Sequence, residues 1–279
     1  MTGSVAAVLT MGALHEGHAS LVRLARERAD HVLVSVFVNP LQFGPGEDFE
    51  RYPRTLDADL ALAVAAGAEL VFAPSRADVW PAAPRVTVDA GPIQHVYEGA
   101  IRPGHFNGVC TVVLALFHLL RPQLSVFGEK DAQQLAVIRA MVRDLVVPVE
   151  IVGAPIVREP DGVAMSSRNR YLSPEERVRA RVLSRALAAG AAAGIEGPSA
   201  VLHAARAVLA EEPEVDVDYL DLVTPDFDAA TGGGAATGGG AAINGDALLV
   251  VAARVGATRL LDNRGVALPA APAAEGTRP

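Results

Sequence analysis

The sequence contains one cysteine, Cys110, among its 279 residues. A disulfide framework is therefore excluded, and the composition suits a reducing compartment. Cys110 lies in an apolar run, residues 109–120, where a buried structural thiol is expected rather than a nucleophile. The single cysteine thus predicts packing and not chemistry.

Long apolar runs and strong positive charge are also absent from the sequence. No uninterrupted run reaches the ~18–20 apolar residues of a membrane-spanning helix, and the first residues lack the pattern of a signal peptide. The net charge of −8 argues against nucleic-acid binding through a broad basic face. We therefore expect a cytoplasmic protein with neither a membrane nor a nucleic acid as partner, while a polyphosphate ligand stays possible if basic side chains share one cleft.

Lysine is as scarce as cysteine, since Lys130 is the only one. It follows an apolar segment, residues 124–127, that predicts a strand, and it precedes a predicted helix that continues to Val142. A lysine at the carboxyl end of a strand supplies a compact charge for a phosphate. Gln134 lies one turn further along the same helix and is predicted to share the face of Lys130.

Residues 10–18 read Thr-Met-Gly-Ala-Leu-His-Glu-Gly-His and are the stretch around which the chain is organised. They follow residues 5–9, a predicted buried strand, and precede residues 20–29, which have helical spacing of apolar positions. A strand, a glycine turn and a helix N-terminus together present N–H groups and a positive dipole to a phosphate.

His15 and His18 lie three residues apart in this turn and could both donate to a phosphate chain. Surface or helix-capping histidines remain an equal alternative on the motif alone. Half of a metal site is a further alternative, but no cysteine or other histidine follows nearby to complete it.

Apolar strands separated by helices predict the first part of the chain to be a parallel sheet covered on both faces. Asn39 and Gln42 follow the strand predicted at residues 32–38, so they lie at the carboxyl edge of the sheet, where ligands of such folds bind. Residues 74–104 are rich in proline and glycine, and we expect an ordered flank of the active site there.

The fold class predicted is α/β, a Rossmann-like doubly wound parallel sheet followed by a smaller α+β C-terminal lid domain. The boundary is placed near Val157, which gives domains at residues 1–157 and 158–279. Residues 229–242 repeat Ala-Ala-Thr-Gly-Gly-Gly and predict a flexible insertion. Early in the second domain, Ser166, Ser167 and Arg168 together could hold several phosphate oxygens.

Four stretches in this order, residues 10–18, 37–43, 128–134 and 165–169, resemble the pantoate–β-alanine ligase family of the HIGH-motif nucleotidyltransferase superfamily. Residues 52–55 and 98–106 support the resemblance, which extends from Val5 to Asn263. Each stretch alone is weak, but all of them in order are specific. The pattern departs from the family in two places: no helix precedes the first strand, and Leu9 stands where the family usually has proline.

The resemblance implies ATP-dependent condensation of (R)-pantoate with β-alanine through pantoyl adenylate, giving pantothenate, AMP and pyrophosphate. It implies His18 as proton donor and His15 as its phosphate-binding companion, with Lys130 and Arg168 as further catalytic residues. The pantoate and β-alanine contacts implied are Gln42, Gln134, Asn39 and Met11. The ATP contacts implied are Met11, Gly12, Ala13, Leu14, His15, Glu16, Gly17, His18, Gly128, Glu129, Lys130, Asp131, Val157, Met165, Ser166, Ser167 and Arg168.

The resemblance further implies a homodimer, and Mg²⁺ that enters with ATP on its phosphates, with Asp131 as the candidate protein contact. The second domain would close over ATP as a lid carrying Ser166, Ser167 and Arg168, and so exclude water. Two other hypotheses stay open: a nucleotidylyltransferase with a phosphate acceptor, which predicts cationic residues in place of Gln42 and Gln134, and a nucleotide-binding protein without turnover. An aminoacyl-tRNA synthetase is excluded by size, charge and the lack of an anticodon-binding module.

Overall fold

The computed structural model describes residues 2–44, 46–47, 49–227 and 245–269. The predicted insertion at residues 229–242 lies outside the described residues. The chain divides into two compact units, the first formed by Met1–Pro160 with Ala164–Arg170 and the second by Asp161–Val163 with Tyr171–Pro279. Within the described residues, no helix is both long and apolar enough to cross a membrane.

The first unit is built on a five-stranded sheet in the order β3-β2-β1-β4-β5, and every neighbouring pair is parallel. The strands are β1 (Val5–Thr10), β2 (His31–Val36), β3 (Leu70–Phe72), β4 (Leu124–Gly128) and β5 (Glu150–Ala154). The helices are α1 (Glu16–Arg28), α2 (Leu56–Ala65), α3 (Arg76–Val79), α4 (Tyr97–Ile101), α5 (His105–Leu120) and α6 (Ala132–Asp144).

Two buried clusters cover the two faces of this sheet. One joins α1 and α2 to the strands through small residues such as Ala19, Ala25 and Ala63. The other joins α5 and α6 through larger side chains such as Phe106 and Ile138. Because helices cover both faces, the strands can be apolar throughout, and the predicted doubly wound parallel sheet is confirmed.

The second unit is a small α+β structure, as predicted. Its antiparallel sheet has the order β6-β7-β8, formed by Val215–Val223, Asp246–Val255 and Thr258–Ala267. Helices α7 (Pro174–Ala192) and α8 (Pro198–Leu209) share a buried cluster with this sheet. Ser173 caps α7 with a reciprocal Glu176 contact, and Pro174 occupies its first turn.

The division at Val157 differs from the observed grouping, in which the first unit extends to Pro160 and takes in a further segment. Residues Ala164–Arg170, predicted to belong to the lid, group with the first unit. The cause is local pairing, because the Met165 N–H donates to the Val157 carbonyl at 2.9 Å and Arg158 pairs with Ala164. Ser166, Ser167 and Arg168 are therefore carried by the same unit as Lys130.

Cys110 is buried on α5, and burial raises the pKa of its thiol to about 12. A thiol that resists ionisation is a poor nucleophile. This agrees with the structural role predicted for it.

Candidate active site

A cavity of about 260 Å³ opens at the carboxyl ends of β1, β2, β4 and β5, and every residue that lines it belongs to the first unit. This is the edge at which doubly wound sheets bind their ligands. The predicted residues that line it are Met11, His15, Gly17, His18, Asn39, Gln42, Gly128, Lys130, Asp131, Gln134, Val157, Met165, Ser166, Ser167 and Arg168.

The two histidines of the turn are fixed through their Nδ1 atoms. The His15 ring caps α1, where its Nδ1 accepts from the Gly17 N–H at 3.2 Å. The His18 Nδ1 accepts from the His15 N–H at 3.3 Å, and the two ring centroids lie 4.1 Å apart. Because both Nδ1 atoms are acceptors, each neutral ring carries its proton on Nε2. His15 is thus a helix cap and a cavity residue at once.

Burial and positive neighbours keep these imidazoles neutral. Burial first, and then the Lys130 charge, lowers the pKa of His15. Burial and the neighbouring His15 lower the pKa of His18 to about 3. At neutral pH, both rings therefore present a neutral Nε2–H, a hydrogen-bond donor suited to an anionic oxygen.

Lys130 lies in the short turn between β4 and α6, and 18% of its side chain is exposed. Its Nζ is 3.5 Å from the Asp131 Oδ1. The Asp131 side chain is 51% exposed, and the Lys130 and Arg168 charges hold the pKa of its carboxyl below its usual value. Together His15, His18, Lys130 and Arg168 form the basic group of the cavity.

A second set of cavity residues consists of neutral amides, Asn39, Gln42 and Gln134, which form the amide group. The Asn39 Nδ2 donates to the Gln42 Oε1 at 3.0 Å and to the Gly108 carbonyl at 3.1 Å. Both Asn39 and Gln42 are buried, with 1% and 8% exposure. A Cβ on Gly108 would lie 2.1 Å from the Leu41 carbonyl oxygen, so only glycine at this position allows α5 to pack this closely against the backbone of Leu41.

Two methionine sulfurs accept hydrogen bonds from polar groups at the cavity. The Met165 Sδ accepts from the Gly17 N–H at 3.1 Å, and the Met11 Sδ accepts from the Gln42 Nε2 at 2.8 Å. Thioethers are weak acceptors. An anionic oxygen can therefore displace either sulfur at small cost.

Arg102 and His105 also line the cavity and were not among the predicted site residues. Arg102 forms a two-pronged ion pair with Glu47, at 2.9 and 2.6 Å. His105 bonds through its Nδ1 to the Gln42 carbonyl at 2.8 Å, and burial with the Arg102 charge lowers its pKa to about 4. The Pro- and Gly-rich stretch that contains Arg102 gave the available signal, because it predicted an ordered flank of the site.

Five predicted ATP contacts, Gly12, Ala13, Leu14, Glu16 and Glu129, are not among the residues that line the cavity. The N–H groups of Ala13 and Leu14 point at the buried Asp59. Glu16 is exposed and pairs with Arg23. The Glu129 carboxylate lies beside Gly153 of β5, because a Cβ added to Gly153 would lie 3.0 Å from the Glu129 Oε1. These residues belong to the turns beside the cavity, and other residues of the same turns form its wall.

Within the described residues, no group of three or more His, Cys, Asp or Glu side chains could hold a metal ion. The His15–His18 pair has both Nδ1 atoms engaged with backbone N–H groups. Asp131 is the acidic residue among those that line the cavity. One carboxylate beside a phosphate-sized space is a donor set that fits Mg²⁺ carried by a substrate.

Comparisons with known proteins identify the relatives of this chain. A family model described as pantoate-beta-alanine ligase matches residues 1–265. The pantothenate synthetase of Acidothermus cellulolyticus is 54% identical over 265 residues, which cover 94% of this chain and 86% of that protein.

Solved structures give the same family. The crystal structure of pantothenate synthetase from Thermus thermophilus matches with a TM-score of 0.85 and 49% identity, covering 94% of this chain and 92% of that one. The pantoate-beta-alanine ligase from Francisella tularensis, complexed with beta-gamma ATP and beta-alanine, matches with a TM-score of 0.74 and 29% identity over 94% and 89% of the two chains. This chain therefore belongs to the pantoate–β-alanine ligase family.

Proposed function

We propose that this protein condenses (R)-pantoate with β-alanine in two steps, using ATP and forming pantothenate, AMP and pyrophosphate. The carrying observation is that the family match spans residues 1–265 while the basic and amide groups line one cavity. The two groups suit the two kinds of ligand, since a polyphosphate needs positive charge and donors whereas a hydroxy acid suits neutral amides.

In the first step, a carboxylate oxygen of pantoate attacks the α-phosphorus of ATP. The bond from the α-phosphorus to its bridging oxygen breaks, and pyrophosphate leaves with that electron pair. Two unit charges about 4 Å apart repel by ~4 kcal/mol at an effective dielectric near 20, so the anionic nucleophile must be screened from the polyanion. Lys130, Arg168 and the Nε2–H groups of His15 and His18 provide this screening.

His18 is proposed to act as the donor to the phosphate in this step. Its low pKa means that it meets ATP as a neutral ring and donates a hydrogen bond from Nε2. This hydrogen bond strengthens as negative charge develops on the departing pyrophosphate, and the Nε2 proton stays on the ring.

In the second step, the amine of β-alanine attacks the acyl carbon of pantoyl adenylate. The unprotonated amine forms the C–N bond as the C–O bond to AMP breaks. AMP leaves with that electron pair, and the nitrogen releases one proton to solvent. Gln42, Gln134 and Asn39 are proposed to hold the pantoyl hydroxyls and the carboxyl oxygen during both steps. Met11 lies against Gln42 and would border the same subsite.

Mg²⁺ is proposed to enter with ATP, held by its phosphates with Asp131 as the protein contact. The ion would neutralise phosphate charge, and Lys130 would keep Asp131 ionised to meet it. We further propose a cytoplasmic homodimer, on the basis of the family. Sedimentation of the purified chain would test the dimer.

The test is pyrophosphate release from ATP, Mg²⁺ and D-pantoate, with and without β-alanine, together with chromatography of AMP and pantothenate. With both substrates we expect steady turnover and equal amounts of the two products. Without β-alanine we expect one pyrophosphate per site, because the adenylate stays bound. ATP binding without pyrophosphate would refute the proposal and indicate a nucleotide-binding protein.

A further inference from the structure

Asp59 is a buried carboxylate to which the proposed mechanism gives no part. It lies on α2, and 2% of the residue is exposed. Its Oδ2 accepts from the Ala13 N–H at 3.1 Å, and its Oδ1 accepts from the Leu14 N–H at 2.7 Å. The Thr55 hydroxyl donates to the same Oδ1 at 3.1 Å. Both oxygens are thus used, and two of the three donors come from the turn that precedes α1.

That turn has an unusual backbone. Gly12 and Ala13 are consecutive residues with positive φ, +85° and +51°. Left-handed conformation is unfavourable for alanine and needs outside support. Successive N–H groups in such a turn form a concave site for an anion. Here the anion that occupies the concavity is a side chain of the protein itself, so these N–H groups face α2 and not the ligand cavity.

The contact between Asp59 and the turn lies one residue before His15, and the backbone and ring of His15 bond to His18 and Gly17. Leu14 is followed by His15, the cap of α1, whose N–H donates to the His18 Nδ1. The His15 Nδ1 accepts in turn from the Gly17 N–H. Asp59 therefore holds Leu14, and the hydrogen bonds that set the orientation and tautomer of both rings begin at the next residue, His15.

We propose that Asp59 is a positioning residue for the reaction. It holds the turn at residues 12–14 so that the Nε2–H groups of His15 and His18 face the polyphosphate, while the amides of Ala13 and Leu14 bind Asp59 in place of ligand. This inference rests on the proposed function, because it assigns a residue that acts through the histidines of the same site.

The first experiment uses the unaltered protein. Amide spectra and hydrogen exchange are recorded while ATP and Mg²⁺ are added. The Ala13 and Leu14 amides should be protected before ATP is present and should stay protected, whereas the Gly17 amide should shift strongly as it exchanges the Met165 sulfur for an oxygen. Fast exchange of the two amides, or shifts as large as that of Gly17, would show that they bind the ligand and would overturn the proposal.

The second experiment compares Asp59→Asn with Thr55→Ala. In Asp59→Asn, either orientation of the amide sets an NH₂ against an N–H of the turn, whereas Thr55→Ala removes a bond to the same carboxylate from the side of α2 and leaves both turn contacts. We expect kcat/KM for ATP to fall by about tenfold to a hundredfold in Asp59→Asn and by no more than about twofold in Thr55→Ala.

The ¹⁵N signals of the His15 and His18 rings provide a readout that a loss of stability alone would not move. They should report mixed tautomers in Asp59→Asn and unchanged Nε2–H tautomers in Thr55→Ala. Unchanged ring signals in a folded Asp59→Asn would overturn the proposal. If the unaltered protein releases no pyrophosphate, the proposed function fails, while the ring and amide signals still decide the role of Asp59.

Discussion

The basic group and the amide group line the same cavity but are stabilised in opposite ways. Asn39 and Gln42 are buried in a closed set of hydrogen bonds to each other, to the Gly108 carbonyl and to the Met11 sulfur. In the basic group, burial and then positive neighbours lower the pKa values of both histidines. The amide group is therefore organised by attraction between Asn39 and Gln42, whereas burial, and then positive neighbours, disfavour any further positive charge on the two histidines.

This difference predicts a division of labour. Neutral hydrogen bonds that are already formed favour one ligand shape and supply specificity. The hydrogen bonds that the basic group donates strengthen as negative charge develops on the phosphate, so they stabilise the transition state more than the bound substrate. Substitutions in the basic group should therefore lower kcat, and those in the amide group should raise KM.

The largest effect is expected for His18→Ala, which removes one Nε2–H from the developing charge. We expect kcat for pyrophosphate release to fall by about 10²–10³-fold, as when one oxyanion donor is removed. Rates with saturating ATP and pantoate measure it. His118→Ala, an exposed histidine on α5, is the matched control and should keep normal activity. An equal fall in both variants would contradict a special role for His18.

A smaller effect is expected for Gln42→Ala. The change removes the side chain that Asn39 orients, and KM for pantoate should rise about tenfold, the loss of one good hydrogen bond to a ligand. KM for ATP should change little. Initial rates with each substrate varied in turn separate the two constants. Gln94→Ala is the control, because the Gln94 amide donates to Asp89 and is not among the residues that line the cavity. A rise in KM for ATP alone would place Gln42 with the basic group.

The smallest effect concerns stability against pH. His18 and His105 have folded pKa values of about 3 and about 4, against a usual value near 6.5 in the unfolded chain. Between those values, the unfolded chain binds protons that the folded chain does not, so the free energy of unfolding falls as pH falls. We expect a loss on the order of 1 kcal/mol per buried ring between pH 7 and pH 5.

Urea unfolding at the two pH values measures this loss, and His105→Gln should reduce it. His31 works in the opposite direction, because its bond to Glu69 raises its pKa and its contribution is lost as pH rises. The control is His118→Gln at an exposed histidine on α5. This variant should lose as much free energy of unfolding between pH 7 and pH 5 as the unaltered chain. A His105→Gln variant that loses as much stability as the unaltered chain would refute the assignment.

The sequence predicted the elements of the fold well because their causes are local. The apolar runs at residues 5–9, 32–38 and 124–127, which form β1, β2 and β4, are each visible within a few residues. The start of α1 was placed four residues too late, since a histidine is an unusual cap and only the contact between its ring and Gly17 reveals it. The predicted residues at the carboxyl ends of the strands lie together because parallel strands end at one edge.

The parts of the site that the sequence did not predict depend on contacts between distant residues. Asp59 lies 46 residues from Ala13, and on α2 it had no pattern to distinguish it from a solvated helix residue. The ring tautomers of His15 and His18 follow from backbone geometry and not from residue type. Likewise, Ala164–Arg170 joins the first unit through a pairing that no local composition shift marks.

The scarcity of lysine has a practical consequence. Lys130 is the only lysine in the sequence, and its side chain lies on the cavity wall with 18% exposure. Reagents that acylate amines have therefore one side-chain target in this protein, and it lies where a ligand binds. Immobilisation or dye labelling through lysine would block the cavity. Conversely, the fraction of molecules acylated at Lys130 after a brief reaction, measured by mass, would report the fraction whose cavity holds no ligand.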